Sequence, residues 1–144
     1  VAMTENARRE INRIMSTANT DGYYYKPRID LGLLLSLPSN EVVVTTACVA
    51  GRMFKENWEE NFLKPAYNHF KNNFFLEVQA HIDDYQAEYN KKILEVHHQY
   101  NIPLIHANDS HYIYPEDAKY RDLFLKAKGI VYEEEGGFCL DYIL

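Results

Sequence analysis

The stretch that organises the chain is PLIHANDSHYIYP, residues 103–115. It opens with a proline and an apolar run, which predict a short strand that ends near Ala107. Side chains alternate along a strand, so Asp109 and His111 are expected on the same face. At the carboxyl end of a parallel strand, such a carboxylate and imidazole suit a zinc or manganese ion. The alternative is that Asp109 caps the following turn and His111 is an ordinary surface residue.

Composition limits the class of protein. The chain has 144 residues, of which 47% are hydrophobic, and this excludes a disordered chain. Its formal net charge of −6 argues against a nucleic-acid-binding surface across the whole chain, although a local basic strip is still possible. The two cysteines, Cys48 and Cys139, show no C-x-x-C spacing, which predicts a cytoplasmic protein without a disulfide framework. No apolar run has the length of a membrane span, so no membrane partner is expected.

The pattern alternates helices with strands. Helices are predicted after the N-cap residues Thr4 and Asp30, and a further helical region is predicted to be kinked or split at Pro65. Another helix begins near Asp83 or Asp84, and the last begins at Pro115. Strands are predicted at 41–47, 74–80 and 103–107, and a final one carries Phe138, Leu140 and Tyr142 after the Gly136-Gly137 turn. This order is typical of an α/β fold with a parallel sheet, or of an open piece of a barrel.

Two of these strands supply further candidate site residues. Glu77, Gln79 and His81 share one face of the predicted strand at 74–80. Because buried polar groups need partners, this row either lines a barrel interior near a site or lies on an exposed edge. Cys48 stands at the carboxyl end of the strand at 41–47, where a lone cysteine is either a small buried hydrophobe or a ligand.

Two apolar features are expected to pack inward. Leu123 and Phe124 belong to the predicted inner side of the last helix. Tyr23, Tyr24 and Tyr25 are suited either to stacking on bases or to packing over a core, and the lack of a dense basic cluster around them favours packing.

Five segments together resemble one family. They are GYYYKPRID (22–30), TACVAG (46–51), FLEVQ (75–79), ANDSHY (107–112) and PEDA (115–118). Their order and spacing resemble the PHP (polymerase and histidinol phosphatase) domain at the front of bacterial replicative DNA polymerase III alpha subunits. The resemblance spans nearly the whole chain.

The resemblance implies part of a distorted (β/α)7 barrel of mostly parallel strands, with a metal cluster at their carboxyl ends. In members that keep their ligands, this cluster hydrolyses phosphoesters, including in 3′→5′ proofreading. Matching positions imply that Cys48, Asp109 and His111 are metal ligands. Asn19, Glu77 and His81 are implied to line the site, and no residue is assigned a catalytic role.

Two departures from the family pattern weaken the metal site. The amino-terminal His-x-His segment is absent, and Asn19 occupies a position where metal-loaded members carry histidine. Since asparagine is a poor zinc ligand, we expect weak or no binding of zinc or manganese by this chain alone. Residues 1–144 are expected to be the carboxyl-terminal portion of a single, incomplete PHP domain. The implied partners are the rest of the polymerase alpha subunit, replisome proteins and, through the parent protein, DNA.

Three functions are compatible with these observations. The first is a structural module of a replicative polymerase with a degenerate metal site. The second is a metal-dependent phosphoesterase or 3′→5′ exonuclease module, completed by an upstream segment. The third is a stand-alone PHP-like binding module. Because residues 1–3 resemble the tail of a strand, we also expect an open sheet edge and a homo-oligomer formed through it.

Overall fold

The structure, a computed structural model, describes residues 1–81 and 84–130. Several features named above lie outside these residues. They are Asp83, Cys139, the expected Gly136-Gly137 turn, and the final strand around Phe138, Leu140 and Tyr142. The chain divides into two compact units. The first comprises Val1–Thr46 and Gly51–Phe75, and the second comprises Ala47–Ala50 and the described residues from Leu76 onward. No helix within the described ranges is long and apolar enough to cross a membrane.

The first unit begins with two helices whose starts are set by side-chain caps. Helix α1 spans Glu5–Asn19, and the Thr4 hydroxyl accepts a hydrogen bond from the Ala7 N–H at 3.1 Å. Helix α2 spans Leu31–Leu35, and the Asp30 carboxylate accepts one from the Leu33 N–H at 2.8 Å. Each cap satisfies an N–H group that has no partner inside its helix, and both predicted helices are confirmed.

The predicted split at Pro65 is also confirmed. A π-helical turn at Glu59–Leu63 leads directly into helix α3, Lys64–Phe70, with Pro65 in the first turn of α3. Proline is tolerated there because the first N–H groups of a helix have no partner within it.

Strand β1 is shorter than predicted, since it covers only Val44–Thr45 of residues 41–47. The residues before it pair elsewhere: Val42 forms an antiparallel bridge with Ala2, and the Met3 N–H donates to the Glu41 carbonyl at 2.8 Å. Two residues after β1, Ala47 has a left-handed backbone (φ 57°) that an extended strand cannot contain.

Strand β2, Phe74–Gln79, pairs in parallel with β1 through Val44–Phe74 and Thr45–Phe75. Phe74 is fully buried in the core of the first unit, with the rings of Phe62 and Tyr67 each 6.2 Å from its own. The predicted core face of this strand is therefore confirmed at its first residue.

In the second unit, β2 pairs in parallel with β3, Leu104–Ala107, from Leu76–Leu104 to Gln79–Ala107. Helix α4, Asp84–Tyr100, buries one side that carries Gln86, Tyr89, Ile93 and Val96. The strand order is β1-β2-β3. An α/β fold with parallel strands is thus confirmed, while closure into a PHP barrel stays a prediction.

Helix α5, Ala118–Ala127, follows a 3-10 turn at Pro115–Asp117, as predicted. The expectation that Leu123 and Phe124 face inward is wrong, because both side chains are mostly exposed. Helical spacing identifies an apolar side of a helix, but it does not determine what covers that side.

The packing prediction for Tyr23, Tyr24 and Tyr25 is also wrong. All three side chains are more than half exposed. Consecutive residues in a short loop point in different directions, so all three could not bury their rings against one core.

Candidate functional site

Strand register brings two of the predicted site residues together. Gln79 and Ala107 are paired across β2 and β3, and each is the last residue of its strand. His81 and Asp109 each follow two residues later. Because the two strands run in parallel and in register, the side chains that follow them emerge at the same edge of the sheet.

Asp109 lies between two histidines. Its Oδ2 is 4.0 Å from His81 Nε2 and 3.9 Å from His111 Nε2. The His81 side chain is 5% exposed, whereas those of Asp109 and His111 are 43% and 42% exposed. We call His81, Asp109 and His111 the His–Asp–His cluster. Its ion pairs form only when the histidines are protonated.

The way in which Asp109 and His111 meet differs from the prediction. Strand β3 ends at Ala107, and Asp109 has a left-handed backbone conformation with φ 52°. Alternation along one strand therefore does not place the two side chains on one face. A turn after the strand brings them together instead.

The metal prediction depends on three ligands converging on one point. Zinc–nitrogen and zinc–oxygen bonds are about 2.0–2.2 Å, so two ligands of one ion lie within roughly 4.4 Å of each other. Asp109 meets this limit with each histidine. However, residues 1–81 and 84–130 contain no group of three His, Cys, Asp or Glu side chains arranged to hold a metal ion. The described donors do not fit a multinuclear cluster, and the ligand roles of Cys48, Asp109 and His111 stay predictions.

Cys48 and Glu77 are grouped around a tyrosine. The pKa of Tyr89 is raised to about 12, chiefly by burial and to a smaller extent by the charges of Cys48, Glu77 and Tyr85. The Glu77 carboxylate also accepts a hydrogen bond from the Gln79 side-chain amide at 2.8 Å. Cys48 is a half-buried free thiol. Two members of the polar row on β2 therefore pair with each other, while the buried Gln79 Oε1 accepts no hydrogen bond from the residues that the structure describes.

Asn90 is a structural residue that the sequence did not indicate. Its amide donates to the Gln79 carbonyl at 2.7 Å, and its oxygen accepts from the Gln79 N–H at 3.3 Å. The Gln86 amide donates to the same oxygen at 2.8 Å. Asn90 therefore satisfies both backbone groups of Gln79, the last residue of β2. The available signal was the spacing of Gln86 and Asn90, four residues apart on the side of α4 that carries Tyr89.

Asn19 belongs to the other compact unit. It is the last residue of α1, and its side-chain amide donates to the Met15 carbonyl at 2.8 Å. This hydrogen bond directs the Asn19 amide back onto its own helix. Its predicted place in the lining of the site is not tested by these contacts.

The raised pKa of Tyr89 makes the free energy of unfolding depend on pH, with a known sign. In the unfolded chain its pKa is near 10, and in the folded chain it is about 12. Between pH 10 and 12 the unfolded state loses this proton and the folded state keeps it, so the free energy of unfolding falls as the pH rises. The loss is at most about 2–3 kcal/mol. Urea denaturation across this pH range should show a smaller loss in Tyr89→Phe, and identical losses would contradict the assignment.

No protein-family model matches the chain. It is 31% identical over 131 residues to the DNA polymerase III subunit alpha of Borreliella burgdorferi, covering 87% of this chain and 11% of that protein. It is 30% identical over 132 residues to the same subunit of Treponema pallidum, with the same coverage of 87% and 11%. The subunit of Aquifex aeolicus is 28% identical over 123 residues, covering 81% of this chain and 10% of that protein.

The chain spans about a tenth of the length of these curated relatives. The aligned region nevertheless includes most of the residues printed in the sequence. Most of this chain is therefore related in sequence to one segment of DNA polymerase III alpha subunits.

Proposed function

We propose that the chain is the PHP segment of a replicative DNA polymerase of the alpha-subunit type, and that it serves there as a structural module. The observation that supports this most strongly is the relation to alpha subunits along 87% of the chain. The role in DNA replication, and the remaining alpha-subunit polypeptide as partner, follow from that relation.

The arrangement of donors favours a structural role over phosphoester hydrolysis. Hydrolysis by two or three metal ions needs several ligands that converge on each ion. In the His–Asp–His cluster one carboxylate lies between two histidines. The charges of Cys48 and Glu77 instead help to raise the pKa of Tyr89. Asn19, in place of the histidine of metal-loaded members, directs its amide to its own helix.

Helix α5 offers a surface for the rest of such a subunit. Its exposed apolar side chains include Tyr120, Leu123 and Phe124, and Ile113 and Tyr114 precede it with more than half of their surface exposed. A group of exposed apolar side chains marks an interaction surface more often than a single exposed apolar side chain does. Since the relatives are roughly ten times longer than the aligned segment, we assign this surface to docking within the larger polypeptide.

Metal content and nuclease activity together test the structural role. After exhaustive dialysis, we expect elemental analysis to find less than one zinc or manganese ion per chain. We also expect manganese-dependent release of nucleotides from a labelled single strand to equal that of Asp109→Ala. One tightly held ion per chain, or release that depends on Asp109, would favour the alternative of a phosphoesterase or 3′→5′ exonuclease module.

A further inference from the structure

Residues 22–28, which we call the tyrosine loop, are held closed at their base. The Arg28 N–H donates to the Gly22 carbonyl at 3.1 Å, and the Gly22 N–H donates to the Thr17 carbonyl of α1 at 2.9 Å. A Cβ atom at Gly22 would collide with the carbonyl oxygen of Arg28, so the backbone approach at this point requires glycine. Inside the loop, the Tyr24 N–H donates to the Lys26 carbonyl at 3.2 Å.

This closed loop presents three large aromatic side chains to solvent. Tyr23, Tyr24 and Tyr25 are 58%, 65% and 83% exposed. The rings of Tyr24 and Tyr25 meet edge to face, with centroids 4.6 Å apart, and Tyr25 has a left-handed backbone with φ 60°. Such a conformation is strained for a bulky side chain, and strain of this kind clusters at binding sites.

Two cations accompany the rings. The Arg28 guanidinium carbon lies 5.5 Å from the centroid of the Tyr24 ring, and Lys26 is an exposed neighbour of Tyr25. Two carboxylates, Asp21 and Asp30, also lie near the loop, and that of Asp30 caps α2. The local charge is therefore close to balanced, and the aromatic faces are the main binding feature.

We propose that the tyrosine loop is a stacking platform for single-stranded nucleic acid. Aromatic side chains bind unpaired bases through their faces, and nearby cations contact the backbone phosphates. In a duplex the base faces are already stacked on one another, so double-stranded DNA offers nothing comparable to these rings. The exposed aromatic residues, their pre-formed loop and the adjacent cations together favour a nucleic acid over an aliphatic protein surface. The loop contains no residue of the His–Asp–His cluster.

Fluorescence anisotropy with a labelled oligothymidylate of roughly 16 nucleotides tests the proposal on the full chain. A matching oligouridylate and a DNA duplex form the other arms. We expect either single strand to bind more tightly than the duplex. With Lys26 and Arg28 as the phosphate contacts, the logarithm of the affinity should fall with the logarithm of salt concentration with a slope of roughly −1.4.

The main variant is Tyr24→Ser combined with Tyr25→Asn, since asparagine tolerates a left-handed backbone. Affinity should fall at least about tenfold, and the double change to phenylalanine should retain it, because phenylalanine keeps the stacking face. Tyr85→Ser is the matched control. Tyr85 is 69% exposed, but it lies on α4, outside the loop. Its change should leave the affinity unaltered.

Several results would overturn the proposal. These are no binding of either single strand by the wild-type chain, equal affinity for duplex and single strand, or equal losses in the loop variant and in Tyr85→Ser. Sedimentation equilibrium adds a further check. If the wild-type chain self-associates, binds no oligonucleotide, and becomes a monomer in the loop variant, the tyrosine loop is a contact for a second copy of the chain.

Discussion

Phe74→Ala should lower the free energy of unfolding by about 3–5 kcal/mol. Phe74 is fully buried at the start of β2, and the rings of Phe62 and Tyr67 pack around it. Truncation removes the transfer free energy of a whole aromatic ring and leaves a cavity, since neighbouring side chains relax only in part. Urea denaturation followed by circular dichroism measures the change.

Phe124→Ala is the matched control for this prediction. Phe124 loses the same ring, but its side chain is 58% exposed on α5. We expect a change within about 1 kcal/mol, most of it from lost contact with Lys128, whose Nζ lies 4.5 Å from the ring centroid. Equal losses at the two positions would show that Phe74 is not the core residue that its burial indicates.

Asn90→Ala should destabilise the second unit by about 3–4 kcal/mol. The change leaves the Gln79 N–H, the Gln79 carbonyl and the Gln86 amide without the partner that they share. Gln79 and Gln86 are 4% and 2% exposed, so water does not readily replace the lost hydrogen bonds. Hydrogen exchange at the Gln79 amide should accelerate together with the loss in global stability.

Two further variants separate hydrogen bonding from side-chain loss. Asn90→Asp keeps an acceptor for Gln79 and Gln86 but removes the donor to the Gln79 carbonyl, so its effect should be intermediate. Asn12→Ala changes an exposed asparagine within α1 and should be neutral or slightly stabilising, because alanine has the higher helix propensity. A similar effect of Asn90→Ala and Asn12→Ala would contradict the network.

The features that were predictable from sequence are those set by local chemistry. Thr4 and Asp30 each accept a hydrogen bond from the N–H three residues later, and Pro65 lies in the first turn of α3, where the helical region divides. These rules involve residues within one helical turn of each other, so the sequence alone is enough to apply them. The start of β2 was also predicted, and the burial of Phe74 and Leu76 agrees with the predicted core face.

Features that depend on distant partners were not predictable. The extent of β1 is determined by the pairing of residues 41–43 with residues 1–3, which lie some forty positions away. The exposure of Phe124 and of the tyrosine loop depends on what lies beyond each segment, and periodicity carries no information about that.

The candidate site was partly predictable for the same reason. Spacing indicated Asp109 and His111, and the row on β2 added His81, but the turn after β3 that brings Asp109 and His111 together was not indicated. The grouping of Cys48 and Glu77 near Tyr89 joins three separate segments and left no local trace. The hydrogen bonds between the Asn90 amide and the Gln79 backbone likewise join a helix to a strand, and the two residues are eleven positions apart.

The backbone at Asp109 sets two kinds of selection against each other. Its φ of 52° is one that glycine adopts more readily than aspartate, because glycine has no Cβ atom. A library of variants at position 109 that is selected for thermal stability alone would therefore become enriched in glycine, which removes the negative charge between His81 and His111. A library selected for any chemistry of the cluster would retain aspartate. The residue found at this one position would thus record which of the two pressures acted on the chain.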